Sequence, residues 1–231
     1  MAKTTKKPAE QDFFAVLGDT FKKIKESWEA LLLNISTFLI IAIIPMVMVF
    51  VASIFFAGAV ASSINGNSLV LGFSGAVAVV LILLAAVAGV IFLPAITITQ
   101  LNSVRGKKIE VADAIKQGLP LVLPMLGLAI LVGLSVVFGL ILLIVPGLLA
   151  AFFFSMSLYI YVDNKPGVIE SMKQSLELVK NNWMPVLAYF IVMIAVSIVS
   201  NFPGIGPLAN FALSVAYFCL PAIIYVQISK N

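Results

Sequence analysis

Three long stretches of this chain carry no charge. Residues 30 to 104, 117 to 162 and 181 to 229 contain no Asp, Glu, Lys or Arg, and a helix needs about 20 apolar residues to cross the hydrocarbon of a bilayer. Each stretch is therefore long enough to cross, turn and cross back, which predicts six spans. They run from about 34 to 61 with Pro45 inside, 69 to 99, 119 to 143, 147 to 162, 184 to 201 and 206 to 228. The fold class expected is all-α, a polytopic transmembrane helical bundle. With 62% hydrophobic and only 10% charged residues, and a mean hydropathy of +1.16, 231 residues could not hide their apolar surface in a soluble core.

Where the charges do fall sets the expected topology. Every Lys and Arg lies in the N-terminal segment, between spans two and three, between spans four and five, or at the C-terminus. With six spans these four places share one side, and the positive-inside rule makes that side cytoplasmic. The expectation is an inner-membrane protein with both termini inside. The first 30 residues lack a secretory h-region and cleavage site, so insertion is expected to begin with the first span. A net charge of +4 follows from this bias and points to anionic lipid rather than nucleic acid as partner. The cations expected to meet lipid are Lys22, Lys23, Lys25, Arg105, Lys107, Lys108, Lys173 and Lys180.

The charged segments are themselves patterned. In Val168–Trp183, VIESMKQSLELVKNNW, helical spacing puts Val168, Ile169, Met172, Leu176 and Val179 on one face and Glu170, Lys173, Gln174, Glu177 and Lys180 on the other. From Phe13 a similar helix starts, with Phe14, Leu17, Phe21, Ile24, Trp28 and Leu31 facing one way. It reads as an interfacial helix, or as a charged extension of the first span. A third copy, VADAIKQGLPLV at 111 to 122, aligns without gaps on VIESMKQSLELV at 168 to 179, and the same shift brings Pro146-Gly147 onto Pro203-Gly204. The chain thus divides into a tail over 1–11 and one transmembrane domain over 12–231. Its expected units, about 12–104, 105–162 and 163–231, are each an interfacial helix followed by a hairpin. Like-oriented units imply an axis along the membrane normal, around which the hairpins either enclose a cavity or pack solid.

Catalytic constellations are missing. There is no histidine, no Walker A, CxxC or Rossmann glycine pattern, and one cysteine, Cys219, within the last apolar run. No carboxylate or lysine falls inside an expected span, whereas ion-coupled pumps carry one. No enzyme, cofactor or metal is therefore expected. Polar residues at depth, among them Tyr189, Asn210, Ser214 and Tyr217, either line a cavity or hydrogen-bond within and between helices.

At PGLLAAFFFSMSLYIYVDNKPGVIESMKQSLELVKNNW, Pro146 to Trp183, the sequence resembles a broad prokaryotic group of integral membrane proteins. The group includes the membrane domain attached to some glycerophosphodiester phosphodiesterases and related uncharacterised six-helix proteins. The resemblance lies in Pro-Gly before a short span, Asp163 after it, and the charged helix before an aromatic residue. It implies a membrane-embedded bundle, with the phosphodiesterase chemistry in a separate barrel that this chain has no room for. Phe152-Phe153-Phe154 departs from the basic or polar residue of many relatives. The function expected is binding and organising lipids, or anchoring a protein partner or a second copy of the chain. The alternative is a permease or channel for a neutral or amphiphilic solute.

Overall fold

The computed structural model describes residues 12–64, 68–200 and 218–230. All of its regular structure is helical. Helix α1 (Phe13–Leu33) starts at Asp12, whose carboxylate accepts the Phe14 N–H at 3.1 Å and so satisfies one donor of the first turn. After Asn34, α2 (Ile35–Ile64) and α3 (Ser68–Val104) lie side by side as a hairpin. At 1.5 Å per residue, their 30 and 37 residues reach about 45 and 55 Å, well beyond the roughly 30 Å of hydrocarbon in a bilayer. The expected turn Asn65-Gly66-Asn67 and the tail 1–11 lie outside the described residues.

The second hairpin is built differently. Helix α4 (Val111–Gly118) runs through a 3-10 turn at Leu119–Leu121 into α5 (Val122–Leu142), giving one apolar stretch from Val111 to Leu142. The copy of the amphipathic unit at 111 to 122 is thus the base of a span rather than a separate interfacial helix. The chain then reverses at Leu143 alone, which is extended at φ −165°, and α6 (Ile144–Phe153) returns. The expected spans had put this turn at residues 144 to 146. Instead Pro146 sits in the first turn of α6, where its missing N–H costs no helical bond, and Gly147 lets the helices touch. Helix α6 breaks at residues 154–156 before α7 (Ser157–Asn164) completes the return.

Helix α8 (Val168–Asn181) and α9 (Trp183–Ser200) meet at Asn182 and are bent by 94°. The charged helix therefore leaves the direction of the span that follows it. Last comes α10 (Leu220–Ile228). By length and composition, four helical stretches among the described residues can cross a membrane, or five when α8 and α9 count as one broken span. Six were expected. Most of the expected sixth, about 206 to 228, lies outside the described residues, which include only its α10 end.

The buried core occupies one end of the molecule. Met125 and Leu128 of α5, Met156, Val179 of α8, Val186 of α9 and Ile224 of α10 are fully covered there. Away from it, α2, α3, α5 and α6 expose large aliphatic side chains over most of their length, a surface that only lipid covers at low cost. The protein is a helical membrane protein whose core and charged connections share one end.

Candidate functional site

That end is held by polar side chains from distant parts of the chain. Asn34, at the joint of α1 and α2, is buried and fixes the connection after α3. Its amide donates to Ser103 Oγ at 2.8 Å and to the Lys107 carbonyl at 2.9 Å, and its carbonyl accepts the Ile109 N–H at 2.9 Å. Thr37 Oγ1 adds a bond to the Ile109 carbonyl at 2.8 Å. A buried amide that makes all these bonds carries no desolvation penalty, so the RGKK connection is pinned to the bundle. Gly106 supports the bend with φ +71°, a conformation that suits glycine.

A second network joins α3, α7 and α10. Arg105 Nη2 donates to Asp163 Oδ2 at 2.7 Å, and the Tyr225 hydroxyl donates to the same oxygen at 3.0 Å. The Asp163 bond holds the Arg105 guanidinium above its ordinary pKa. Tyr225 stacks on Tyr159 with ring centroids 5.8 Å apart, and the Tyr159 hydroxyl donates to Gln100 Oε1 at 2.9 Å. Gln100 Nε2 donates in turn to the Phe218 carbonyl at 3.0 Å. Ser27 of α1 accepts the Cys219 N–H at 3.0 Å and so ties α1 to the start of α10. Beside the ion pair opens a cavity of about 320 Å³, lined by Ile98, Leu101, Asn102, Arg105, Gln117, Pro120, Leu121, Val162, Asp163 and Lys165.

The two charged helices, α1 and α8, each divide into three faces. On α1, Thr20, Lys23, Ser27, Ala30 and Leu31 are buried against the bundle, while Phe14, Phe21, Trp28 and Leu32 form an exposed stripe that includes Lys25, 3.9 Å from Glu29, and Lys22, Glu26 and Glu29 form the charged side. On α8, Ser171, Ser175 and Val179 are buried, Ile169 and Leu176 are exposed, and Glu170, Lys173, Glu177 and Lys180 lie beyond them. A two-sided wheel had put the apolar residues together against one surroundings. Instead the apolar stripe is split: Leu17, Ile24 and Leu31 of α1 and Val168, Met172 and Val179 of α8 pack on the bundle beside small residues that allow close approach, and the rest is left outside it. The buried hydroxyls are satisfied: Thr20 donates to the Val16 carbonyl, Ser171 to the Gly167 carbonyl and Ser175 to the Phe153 carbonyl.

The cations expected to meet lipid separate accordingly. Lys22, Lys25, Lys107, Lys108, Lys173 and Lys180 are exposed. Lys23 is not, being 8% exposed and paired with Asp19 at 2.8 Å, and Arg105 is engaged by Asp163. Of the polar residues proposed to line a cavity, Tyr189 is half-buried beside Phe190 in the core, while Asn210, Ser214 and Tyr217 lie outside the described residues. Ser53, Ser135, Ser155 and Ser157 each donate to a carbonyl three or four residues earlier, which is the plainer of the two readings for polar groups at depth. Asn34, Gln100 and Tyr225 were not recognised from the sequence as site residues. Asn34 and Gln100 share a legible signal, an amide at the rim of a charge-free block.

No curated protein and no solved structure shows significant similarity to the chain, and no link to glycerophosphodiester phosphodiesterases is shown. The match that is found covers most of α3, the second hairpin, the Arg105–Asp163 pair and α8: residues 76–224 fit the sequence model of an uncharacterised family, and the chain belongs to that family, UPF0259.

Proposed function

We propose that this protein is a non-enzymatic membrane protein that binds and organises lipid at its charged end, with α1 and α8 lying in the headgroup region. The observation that carries this reading is the three-way division of both helices. A helix that buries small residues and part of its apolar stripe against protein, leaves Phe14, Phe21 and Trp28 outside it and turns Lys22, Glu26 and Glu29 another way suits an interface with protein, acyl chains and water on three sides. The 94° bend between α8 and α9 agrees with a helix lying along the surface beside one that enters it. On the positive-inside rule this end is cytoplasmic and the membrane an inner one.

The relation between units belongs to the same proposal. The shift that aligns 111–122 with 168–179 superposes Ala114 on Ser171 and Gly118 on Ser175, and all four residues are buried. That coincidence supports a duplicated unit whose copy at 111–122 has straightened into α5. The resemblance to the membrane domains attached to glycerophosphodiester phosphodiesterases rests on the same helix and supports the same kind of embedded role.

The experiment is lipid analysis of the protein extracted in native membrane discs. Enrichment of anionic lipid above the bulk membrane is expected, and the Lys22→Glu, Lys25→Glu double variant should lose most of it. Each lysine near an anionic surface contributes about 1 kcal/mol, and both reversed charges act in the same direction. Equal lipid composition in wild type and variant would refute the proposal.

A further inference from the structure

The cavity beside Arg105 has two unlike walls. Toward the bundle it is apolar, with Ile98, Leu101 and Leu121. At its rim stand Arg105, Lys165 and Asp163, with the amides of Gln117 and of Asn102, whose nitrogen donates to the Ile98 carbonyl at 2.9 Å. Two cations face one carboxylate, so the rim keeps a positive excess after the ion pair is counted. The broader groove by Asn34 offers no such excess, because Glu110 and Asp113 face Lys107 and Lys108 there. Only one of the five guanidinium N–H donors of Arg105 goes to Asp163.

Lys165 adds an independent observation. Among the described residues it is the one non-glycine residue with positive φ, at +50°. It ends α7 in the left-handed conformation, its N–H donating to the Tyr161 carbonyl at 3.0 Å, where glycine is the usual occupant. A glycine does follow, but two residues later, at Gly167. The chain thus places a lysine at a strained position whose side chain lines the cavity, and strain of this kind is found where a side chain has work to do.

We infer that this cavity is a discrete binding site for one anionic phosphate-bearing amphiphile. Arg105 and Lys165 take the phosphate oxygens, Asn102 and Gln117 face the polar linkage, and Ile98 and Leu101 receive the start of an acyl chain. The inference rests on the lipid-binding reading for its class of ligand, but it concerns a single saturable site rather than general retention. General retention is read at Lys22 and Lys25 and the single site at Lys165, so the two fail separately.

Native mass spectrometry of the full-length protein in detergent, with dihexanoyl phosphatidylglycerol, dihexanoyl phosphatidylcholine or inorganic phosphate added, tests it. A one-to-one phosphatidylglycerol adduct is expected, with weaker binding of the zwitterionic lipid and of phosphate alone. Lys165→Gly relieves the backbone and should raise thermal stability while weakening the adduct roughly fivefold, the weight of one lysine beside an anionic headgroup. Lys165→Arg and Lys180→Gln should leave the adduct intact. An adduct unchanged in Lys165→Gly overturns the site. Binding of phosphate as strong as that of phosphatidylglycerol overturns the amphiphile in favour of the free anion.

Discussion

The two hairpins differ in how they close. Between α2 and α3 the long helices leave room at their glycine, for a Cβ added at Gly58 would meet Ser74 Oγ at an ordinary 3.7 Å. Between α5 and α6 one residue makes the turn, and a Cβ at Gly139 would lie 2.6 Å from the Gly147 nitrogen, closer than atoms can approach. The tip there is wholly apolar, with Ile141, Leu142, Leu143, Ile144 and Val145 each 64–75% exposed. The first hairpin is organised by the length of its two helices. The second is organised by backbone contact, with a tip suited to lipid. Apolar helices alone do not pack tightly in hydrocarbon, so close approach of backbones has to supply what burial supplies in water.

The largest effect separating them should come from Gly139→Ala. The added methyl has backbone on the other side and no flexible side chain to displace, so α5 and α6 must part. Overpacking of this kind costs about 1–3 kcal/mol, and thermal unfolding in detergent should show the loss clearly. Gly147→Ala should be nearly as damaging, since its Cβ falls 2.4 Å from Leu140 Cγ, which can yield, but also 2.7 Å from the Leu140 nitrogen, which cannot. Unchanged melting for both would mean that the hairpin closes some other way.

At the bases of the hairpins the order reverses. Asn34→Ala removes three hydrogen bonds at the foot of α2 and α3 and leaves the Ile109 N–H without its acceptor, at about 1–3 kcal/mol for a buried unpaired group. Ser175→Ala at the foot of α6 removes one bond, to the Phe153 carbonyl at 2.7 Å, for which membrane proteins average about 0.6 kcal/mol. Hydrogen exchange of residues 105–110 should rise in the first variant and stay level in the second. Equal protection in both would break the contrast between a hairpin pinned by side chains and one pinned by glycine.

Charge placement made the helical membrane fold legible, because ionised side chains cannot lie in hydrocarbon and the chain shows where they do not. The extents of α1 and α8 were legible for the same reason. Their orientation was not. A helical wheel separates two environments, and Ser171 and Ser175 look hydrophilic on it, yet each is buried with its hydroxyl bonded to a carbonyl. The turn at Leu143 was masked by Pro146-Gly147, a strong turn signal in water that here serves helix initiation and helix contact. The Arg105–Asp163 pair spans 58 positions, and nothing in either segment names the other, so the site emerged only once α3 and α7 were seen together.

The smallest effect should come from Gly58→Ala, and it tests the comparison from the other side. If every glycine in these hairpins served close approach, this substitution would also destabilise. The Ser74 hydroxyl at 3.7 Å leaves room for a methyl, and alanine favours a helix over glycine by about 1 kcal/mol in water. Within a membrane helix that preference is weaker, because the unfolded reference is already largely helical. The melting temperature of Gly58→Ala is therefore expected to stay level or rise slightly. A fall as large as that of Gly139→Ala would show that α2 and α3 also depend on backbone contact.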